Sequence, residues 1–356
     1  MRRRPIPETT RRHRWRRSPL TVAPRNDTET EFFLSGLTNL AMTDRRIAQW
    51  LGLVCLLTGV GCAAAQPYHY GHFESDAPSD PTTEPAGAEV EFGKPDKKLD
   101  RIARVVGLPA RIVGLNAKIN NHEVSLATLA KLRTYLAEND LTDVTIYVNC
   151  YDPKEQWRRL KENQRIGAGW RYSLGTLSMV GYTLLPGRVF GGDEYNPYTN
   201  SLSINSDVPA IALYEAAYAK DIHAHKLPGT YAVLSGLPGI AIFRRSHEVG
   251  DVLGYAQAQH DWETERQAYH VLYPQVGAET ASIAGPVMPV WWAMPILGMG
   301  GAAAGHVTGR MVAAHRASQI DAAVEAESSA DSEAKAEGAD TPAPGSVELT
   351  APADSP

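Results

Sequence analysis

Hydrophobic and polar positions divide the middle of the chain into short helices and strands. Asp96–Val106 mixes charged and apolar residues at helical spacing, and Ser125 can cap the leucine-rich segment that follows it. Val144–Tyr151 favours a strand, Pro153 suits the first turn of the next helix, and Arg111–Ile119 has a strand-like pattern. The pattern predicts an α+β fold that begins with a small strand and helix unit.

Two longer stretches are apolar without a clear alternation. Tyr172–Phe190 carries no charged residue until Arg188, which indicates an apolar hairpin or a re-entrant membrane segment. Ala281–Thr308 contains no Asp, Glu, Lys or Arg. A helix of that length is long enough to cross a hydrocarbon core of about 30 Å. Arg310 follows it, as the positive-inside rule requires. We therefore predict a transmembrane helix over residues 286–312, with a buried core helix or hairpin as the alternative.

The two ends of the chain differ from its middle in composition. Residues 1–41 are rich in arginine, and residues 317–356 are rich in Ala, Glu, Asp, Ser and Pro. Neither end has apolar periodicity, so both are predicted to be disordered. An export signal begins at Met42, so the basic arm is either disordered or not translated, and we expect no nucleic-acid partner. Residues 66–94 have the composition of a disordered tether, and residues 95–285 form the predicted exported domain.

Residues 42–65 have the composition of an export signal. Two arginines precede the apolar run Ile47–Val60, and small residues follow it. The sequence ending at Cys62 resembles the lipobox of bacterial lipoproteins, although Gly59 replaces the usual leucine. We therefore expect lipidation of Cys62, with cleavage by ordinary signal peptidase after Ala65 as the alternative. Either route predicts a domain outside the cytoplasm, anchored in a bacterial cell envelope.

The most informative pattern lies in one predicted helix and the strand before it. Residues 201–205 alternate as an edge strand, and Asp207 is placed to cap a helix over Ala210–His223. That helix contains "YEAAY", in which Tyr214 and Tyr218 flank Glu215 with the spacing of the zinc-binding motif H-E-x-x-H. Residues four apart project from one helix face, so two histidines there can hold one zinc ion beside a glutamate that polarises its water.

With these flanks, residues 195–260 resemble the membrane-associated gluzincin peptidases. The resemblance implies a zincin-like helical core with Glu215 at the general-base position. It also implies that Glu248, in the downstream "HEVGD", stands at the position of the third zinc ligand. Tyr214 and Tyr218 stand at the other two ligand positions.

The two tyrosines argue against a working zinc site. Zinc sites in proteins are built from His, Cys and carboxylates, whereas a phenol has a pKa of about 10. We therefore expect no metal or other cofactor, with Glu215 remaining as a base that has no metal to serve. A rescued zinc site would need Glu215, Glu248, His223 and His247. The plainer alternative is a core helix whose tyrosines stack and whose Glu215 reaches solvent or a cation.

These expectations lead to three hypotheses for function. The first is a membrane-anchored, exported pseudopeptidase that binds a peptide or protein along the 201–205 strand by β-augmentation and does not cleave it. The second is an active zinc metallopeptidase with unusual ligands, and the third is a structural envelope lipoprotein. The sequence has no glycine-rich phosphate loop and no CxxC pair, so nucleotide and redox roles have no support.

Overall fold

The computed structural model describes residues 67–72, 88–94, 96–282 and 293–339. Most of these residues are helical, and one four-stranded sheet lies among the helices in the order β1-β2-β4-β3. The strands β1, β2 and β4 are parallel, and β3 runs antiparallel to β4. The strands are β1 (Val90–Phe92), β2 (Thr145–Val148), β3 (Glu194–Asn196) and β4 (Ser201–Ile204).

The helices surround this sheet and form most of the core. Two π-helical turns lie between helices, at Arg171–Gly175 and at Ala268–Leu272. In chain order the helices are α1 (Lys97–Val106), α2 (Leu108–Gly114), α3 (Leu126–Glu138), α4 (Pro153–Glu162), α5 (Ala168–Trp170), α6 (Thr176–Leu184), α7 (Gly187–Phe190), α8 (Pro209–Ala224), α9 (Pro228–Ser235), α10 (Pro238–Ala258), α11 (Trp262–Gln267), α12 (Tyr273–Ser282) and α13 (Ala293–Ala339).

Capping residues explain where several helices begin. The Asp96 carboxylate accepts from the first-turn amides of α1, and the Ser125 hydroxyl accepts from Thr128 in α3. Pro153 occupies the first turn of α4. The strand predicted over Arg111–Ile119 is wrong, because α2 covers its first residues. Short apolar runs do not separate a strand from a buried helix by periodicity alone.

Helix α8 lies at the centre of the core. Apolar residues occupy all of its faces, as expected of a helix enclosed by protein. It packs against α3 on one side and α10 on another, and its N-terminal half lies close to β3 and β4. Leu202 and Ile204 of β4 are fully buried in the same core. The sheet and α3 therefore fix one side of α8, and α10 fixes the other.

The predicted edge strand is wrong in one respect. Residues 201–204 do form a strand, but β4 lies between β2 and β3 and is paired along both of its edges. Ser201 on its polar side is buried and donates to the side chain of Gln156 at 3.0 Å, whereas Ser203 is half-buried. An alternating pattern reports two different faces of a strand and does not show whether the polar face meets water.

The predicted transmembrane helix over residues 286–312 is also wrong. Among the described residues, no helix is both long and apolar enough to cross a bilayer. Helix α13 begins at Ala293 and packs closely on α12 through glycines. A Cβ atom on Gly301 would lie 2.1 Å from the carbonyl oxygen of Gly277. The small residues therefore make a tight helix pair within the protein, which is the alternative that the sequence left open.

The fold-class prediction as a whole needs correction for these reasons. An α+β fold with a zincin-like core and a C-terminal transmembrane helix is not what forms, because the described chain is mostly helical with one small sheet. Helix α13 continues to Ala339, through much of the predicted tail, and β1 lies within the predicted tether. Residues 1–41, the export signal 42–65 and Cys62 lie outside the described residues.

Candidate functional site

Helices α8 and α10 pack side by side and bring the two motif segments together. Glu248 of α10 is fully buried beside Tyr214 of α8, and the Tyr214 side chain acts to lower the pKa of the Glu248 carboxyl. Arg244, one turn earlier on α10, donates from Nη1 to Glu248 Oε1. The Cζ atom of Arg244 also lies 4.1 Å from the ring centroid of Tyr218. The three positions that match zinc ligands are therefore neighbours, and a guanidinium lies among them.

Arg244 supplies the positive charge of this cluster. An arginine side chain does not lose its proton in proteins, so the charge is permanent. The Glu248 carboxylate raises the pKa of Arg244 further, although burial acts in the opposite direction. Sequence reasoning missed Arg244, yet its position four residues before Glu248 is the spacing at which ion pairs form on a helix.

Glu248 is ionisable near neutral pH. Burial raises the pKa of its carboxyl to about 7, even though Arg244 and Tyr214 lower it. Its Oε1 atom is bonded to Arg244, whereas Oε2 has no hydrogen-bond partner by distance and angle among the described residues. Buried polar atoms are nearly always satisfied, so this oxygen marks an unusual position.

Glu215 contacts a strand and not a cation. Its Oε2 atom accepts a hydrogen bond of 3.1 Å from the backbone amide of Tyr195 in β3. Burial and the neighbouring Glu248 raise the pKa of Glu215 well above its ordinary value, and the Tyr195 bond offsets only part of this. The alternative in which Glu215 of a core helix reaches solvent or a cation is met only in part, because the residue is half-buried and no ion pair of Glu215 is found among the described residues.

The start of α8 differs from the sequence prediction. Asp207 does not cap α8, because the cap residue is Val208 and no side chain bonds there. Asp207 instead accepts hydrogen bonds at the start of α3, from the Ser125 hydroxyl at 2.6 Å and the Thr128 hydroxyl at 2.7 Å. Burial raises the pKa of Asp207, but these bonds and Lys118 bring it down to about 2. Asp207 therefore ties the start of α8 to α3.

The histidines proposed for a rescued zinc site lie elsewhere. His223 is held by the backbone oxygen of Ala219 at 2.7 Å and by Asp143 at 3.3 Å. His247 is exposed, although the next residue, Glu248, is fully buried. Within the described ranges, no three His, Cys, Asp or Glu side chains are grouped so that they could hold a metal ion.

A small polar cavity lies on the other face of the sheet. Its volume is about 40 Å³, and side chains of β3 and β4 line it together with Cys150 and Gln156. Ser201 and Ser203 point into it, whereas Leu202 and Ile204 point to the opposite face, against α8. A space of this size holds a few waters at most, so it is not a peptide site.

No protein-family model, curated protein or solved structure matches this chain. The likeness to gluzincin peptidases therefore stays a prediction from Tyr214, Glu215, Tyr218 and Glu248. The function has to be argued from the geometry around them.

Proposed function

We propose that this protein binds extended peptide segments without cleaving them, and that Arg244 takes the place of a metal ion in its α8–α10 cluster. One observation carries the proposal: the Arg244 guanidinium bonds to Glu248 and stacks on Tyr218. A fixed positive charge at that position repels a divalent cation and occupies the carboxylate that would otherwise bind one.

The edge of β3 that faces away from β4 is where an extended peptide would pair. Among the described strands, β3 pairs only with β4, whereas β4 is paired on both sides. Tyr195 at the centre of this edge is buried and its amide donates to Glu215 of α8, so a peptide must displace the side chain that covers it. Unpaired strand edges bind added strands through backbone hydrogen bonds. The binding strand of the original hypothesis, 201–205, is thus replaced by its neighbour in the hairpin.

Glu215 regulates access to this edge. Its carboxyl takes the backbone donor of Tyr195, so an incoming peptide carbonyl must displace it. The raised pKa of Glu215 favours the neutral form, which accepts a hydrogen bond less strongly than a carboxylate. Glu215 therefore acts as an exchangeable cover of the strand edge and not as a base for hydrolysis.

Export and anchoring belong to the proposal as well. Lipidation at Cys62 would hold the domain at a membrane of the bacterial envelope, where exported peptide segments are available for binding. The active metallopeptidase is the weaker hypothesis, because neither His223 nor His247 lies at the cluster. No observation in the described residues favours a purely structural lipoprotein.

The test combines binding with recovery of the peptides. Full-length protein is titrated into labelled extended peptides, and mass spectrometry then determines whether they remain intact. We expect intact peptides, and about tenfold tighter binding by Glu215→Ala, which frees the Tyr195 amide. Glu215→Gln keeps an acceptor of similar size and serves as the matched control.

Two outcomes would contradict the proposal. Peptide cleavage that disappears in Glu215→Gln would establish an active peptidase. Binding that is unchanged in Glu215→Ala, with the fold intact by circular dichroism, would show that the β3 edge is not the binding surface.

A further inference from the structure

A short segment that follows the export signal lies against the helices. Residues 67–72 pass over α3, α8 and α10, and the side chain of Tyr68 inserts between them. The Tyr68 hydroxyl lies 3.0 Å from Asn139 Oδ1 and 3.1 Å from Asp251 Oδ1, either of which can accept its proton. It also accepts a hydrogen bond of 2.8 Å from Lys220 Nζ. The phenol oxygen is therefore recognised by a donor and by acceptors.

The ring of Tyr68 is recognised as well. It meets the Tyr255 ring edge to face at 5.4 Å between centroids, and Lys220 Nζ lies 4.1 Å from its centroid. Gly254 of α10 gives the ring its room, because a Cβ atom there would lie 3.3 Å from Tyr68 Cδ2. Helix α10 thus forms one wall of a shallow pocket for an aromatic ring.

The backbone of the segment is held at two further points. The buried Gly71 amide donates to Asn139 Oδ1 at 2.9 Å, and Lys220 Nζ donates to the His69 carbonyl at 2.6 Å. Asn139 is itself fixed, because its Nδ2 donates to the Tyr135 carbonyl at 2.9 Å. Contacts to one side chain and to the backbone at two positions after it are those of a peptide in a binding site.

We propose that this pocket is a binding site for a tyrosine-bearing peptide and that residues 67–72 fill it intramolecularly. It lies apart from the β3 edge and does not rest on the function proposed there. Both predicted processing routes leave Tyr68 in the mature chain, and with lipidation of Cys62 the site would tie the domain to the segment that leads to its anchor. The pocket residues are Tyr135, Asn139, Lys220, Asp251, Gly254 and Tyr255.

The site should distinguish tyrosine from phenylalanine. Without the hydroxyl, Lys220 loses one acceptor and Asn139 and Asp251 lose one donor in a partly buried position. Sites built to bond a hydroxyl reject the analogue that lacks it, because their own polar groups are left unpaired.

The first experiment measures amide hydrogen exchange at Gly71 in the full chain. We expect exchange at least tenfold faster in Tyr68→Ala and several-fold faster in Tyr68→Phe, since each hydrogen bond lost weakens the contact with the pocket. His69→Ala is the matched control, because the His69 side chain is exposed and the residue is held through its backbone carbonyl, which the substitution keeps. Unchanged exchange in Tyr68→Phe, or equal rates in the two alanine variants, would overturn the proposal.

The second experiment adds the segment back as a separate molecule. A labelled peptide with the sequence of residues 66–73, QPYHYGHF, is titrated into full-length Tyr68→Ala by fluorescence polarisation. We expect binding that weakens at least tenfold when the first tyrosine is replaced by phenylalanine, and no binding to the wild-type chain, whose site is filled. Folded Tyr68→Ala that binds neither peptide, or both equally, would overturn the proposal; if this variant does not fold, the Tyr68→Phe exchange rate decides.

Discussion

Two carboxylates of α10, Glu248 and Asp251, each form a largely buried ion pair. The two pairs differ in how completely the carboxylate oxygens are hydrogen-bonded. Arg244 and Glu248 pair within α10, with side-chain exposures of 13% and 0%, whereas Lys220 of α8 and Asp251 pair across the helices, at 13% and 12%. Both oxygens of Asp251 accept hydrogen bonds, from Lys220, Tyr68 and Tyr135. Glu248 has one oxygen without such a bond.

The difference distinguishes a carboxylate that only stabilises the fold from one whose unpaired oxygen leaves it able to bind a ligand or a proton. A fully bonded carboxylate repays its desolvation and orders the groups around it, here the strap of residues 67–72. A carboxylate with an unsatisfied oxygen retains part of the cost, which appears as a raised pKa. The Glu248 cluster is therefore the better candidate for a lost or altered site, and the Asp251 cluster the better candidate for a permanent clamp.

The largest expected effect comes from removing either cation. Arg244→Ala leaves the fully buried Glu248 without a charge partner, and we expect a loss of about 3 kcal/mol in unfolding free energy at pH 8. Lys220→Ala should cost about 2 kcal/mol, because Asp251 keeps its tyrosine donors. Urea denaturation measures both. Arg158→Ala, in an exposed ion pair on α4, is the control, and we expect its unfolding free energy to equal that of the wild type within measurement error. A larger loss for Lys220→Ala would reverse the comparison.

A substitution in the α12–α13 pair, away from both ion pairs, should lower the unfolding free energy without changing the difference between them. Gly301→Ala forces α12 and α13 apart, because its Cβ atom would lie 2.1 Å from the Gly277 oxygen, and we expect a loss of about 2 kcal/mol. Gly300→Ala, which meets nothing within 4 Å, should be neutral or slightly stabilising. The difference in unfolding free energy between Arg244→Ala and Lys220→Ala should be the same whether or not the chain also carries Gly301→Ala, because distant substitutions have additive effects. Melting curves and urea denaturation check all of these values.

The pH dependence of stability isolates Glu248. Its pKa in the folded protein, about 7, exceeds the ordinary 4.5, so the folded state binds the proton more tightly. This stabilisation is fully present below about pH 4.5 and is lost as pH rises through 7. Relative to Glu248→Gln, the wild type should therefore lose about 3 kcal/mol of unfolding free energy between pH 4.5 and 8. A flat difference over that range would contradict the assignment.

Asp207 provides the control of opposite sign. Its folded pKa of about 2 lies below the ordinary 3.8, so its stabilisation is present above pH 3.8 and is lost as pH falls through 2. The stability difference between wild type and Asp207→Asn should therefore shrink as the pH falls from 3.8 to about 2, a range in which the difference between wild type and Glu248→Gln is constant.

The smallest expected effect concerns the ring of Tyr218. Tyr218→Phe keeps the aromatic face under Arg244 and should cost less than about 1 kcal/mol, whereas Tyr218→Leu should cost about 1 kcal/mol more because the cation–π contact is lost. Equal values in urea denaturation would show that the stacking contributes nothing to the Arg244 cluster.

Local sequence signals predicted the local structure well. The cap at Ser125 and the proline at the start of α4 marked true helix beginnings, because capping depends on neighbours along the chain. Helical spacing placed Tyr214 and Tyr218 on one face, and Glu248 indeed lies beside them. Two local predictions failed, the strand over Arg111–Ile119 and the Asp207 cap of α8. The other failures concerned what covers a surface.

Those failures have a common physical cause. A charge-free run rich in glycine has the same composition whether it faces lipid or a second helix, so α13 could not be separated from a membrane span. The polar face of β4 is covered by Gln156 from a distant helix, which no alternation reveals. The binding of Tyr68 depends on residues of α3, α8 and α10 that come together only after folding. The local sequence "QPYHYGHF" therefore does not predict this contact.

Zinc stoichiometry tests the central claim most directly. Wild type, Tyr214→His/Tyr218→His, and that double variant with Arg244→Ala are equilibrated with zinc, separated by gel filtration and analysed for metal per chain. We predict no stoichiometric zinc in the wild type, little in the double variant, and about one ion per chain only when Arg244 is also removed. One zinc ion per wild-type chain would contradict the claim that Arg244 stands where a metal would.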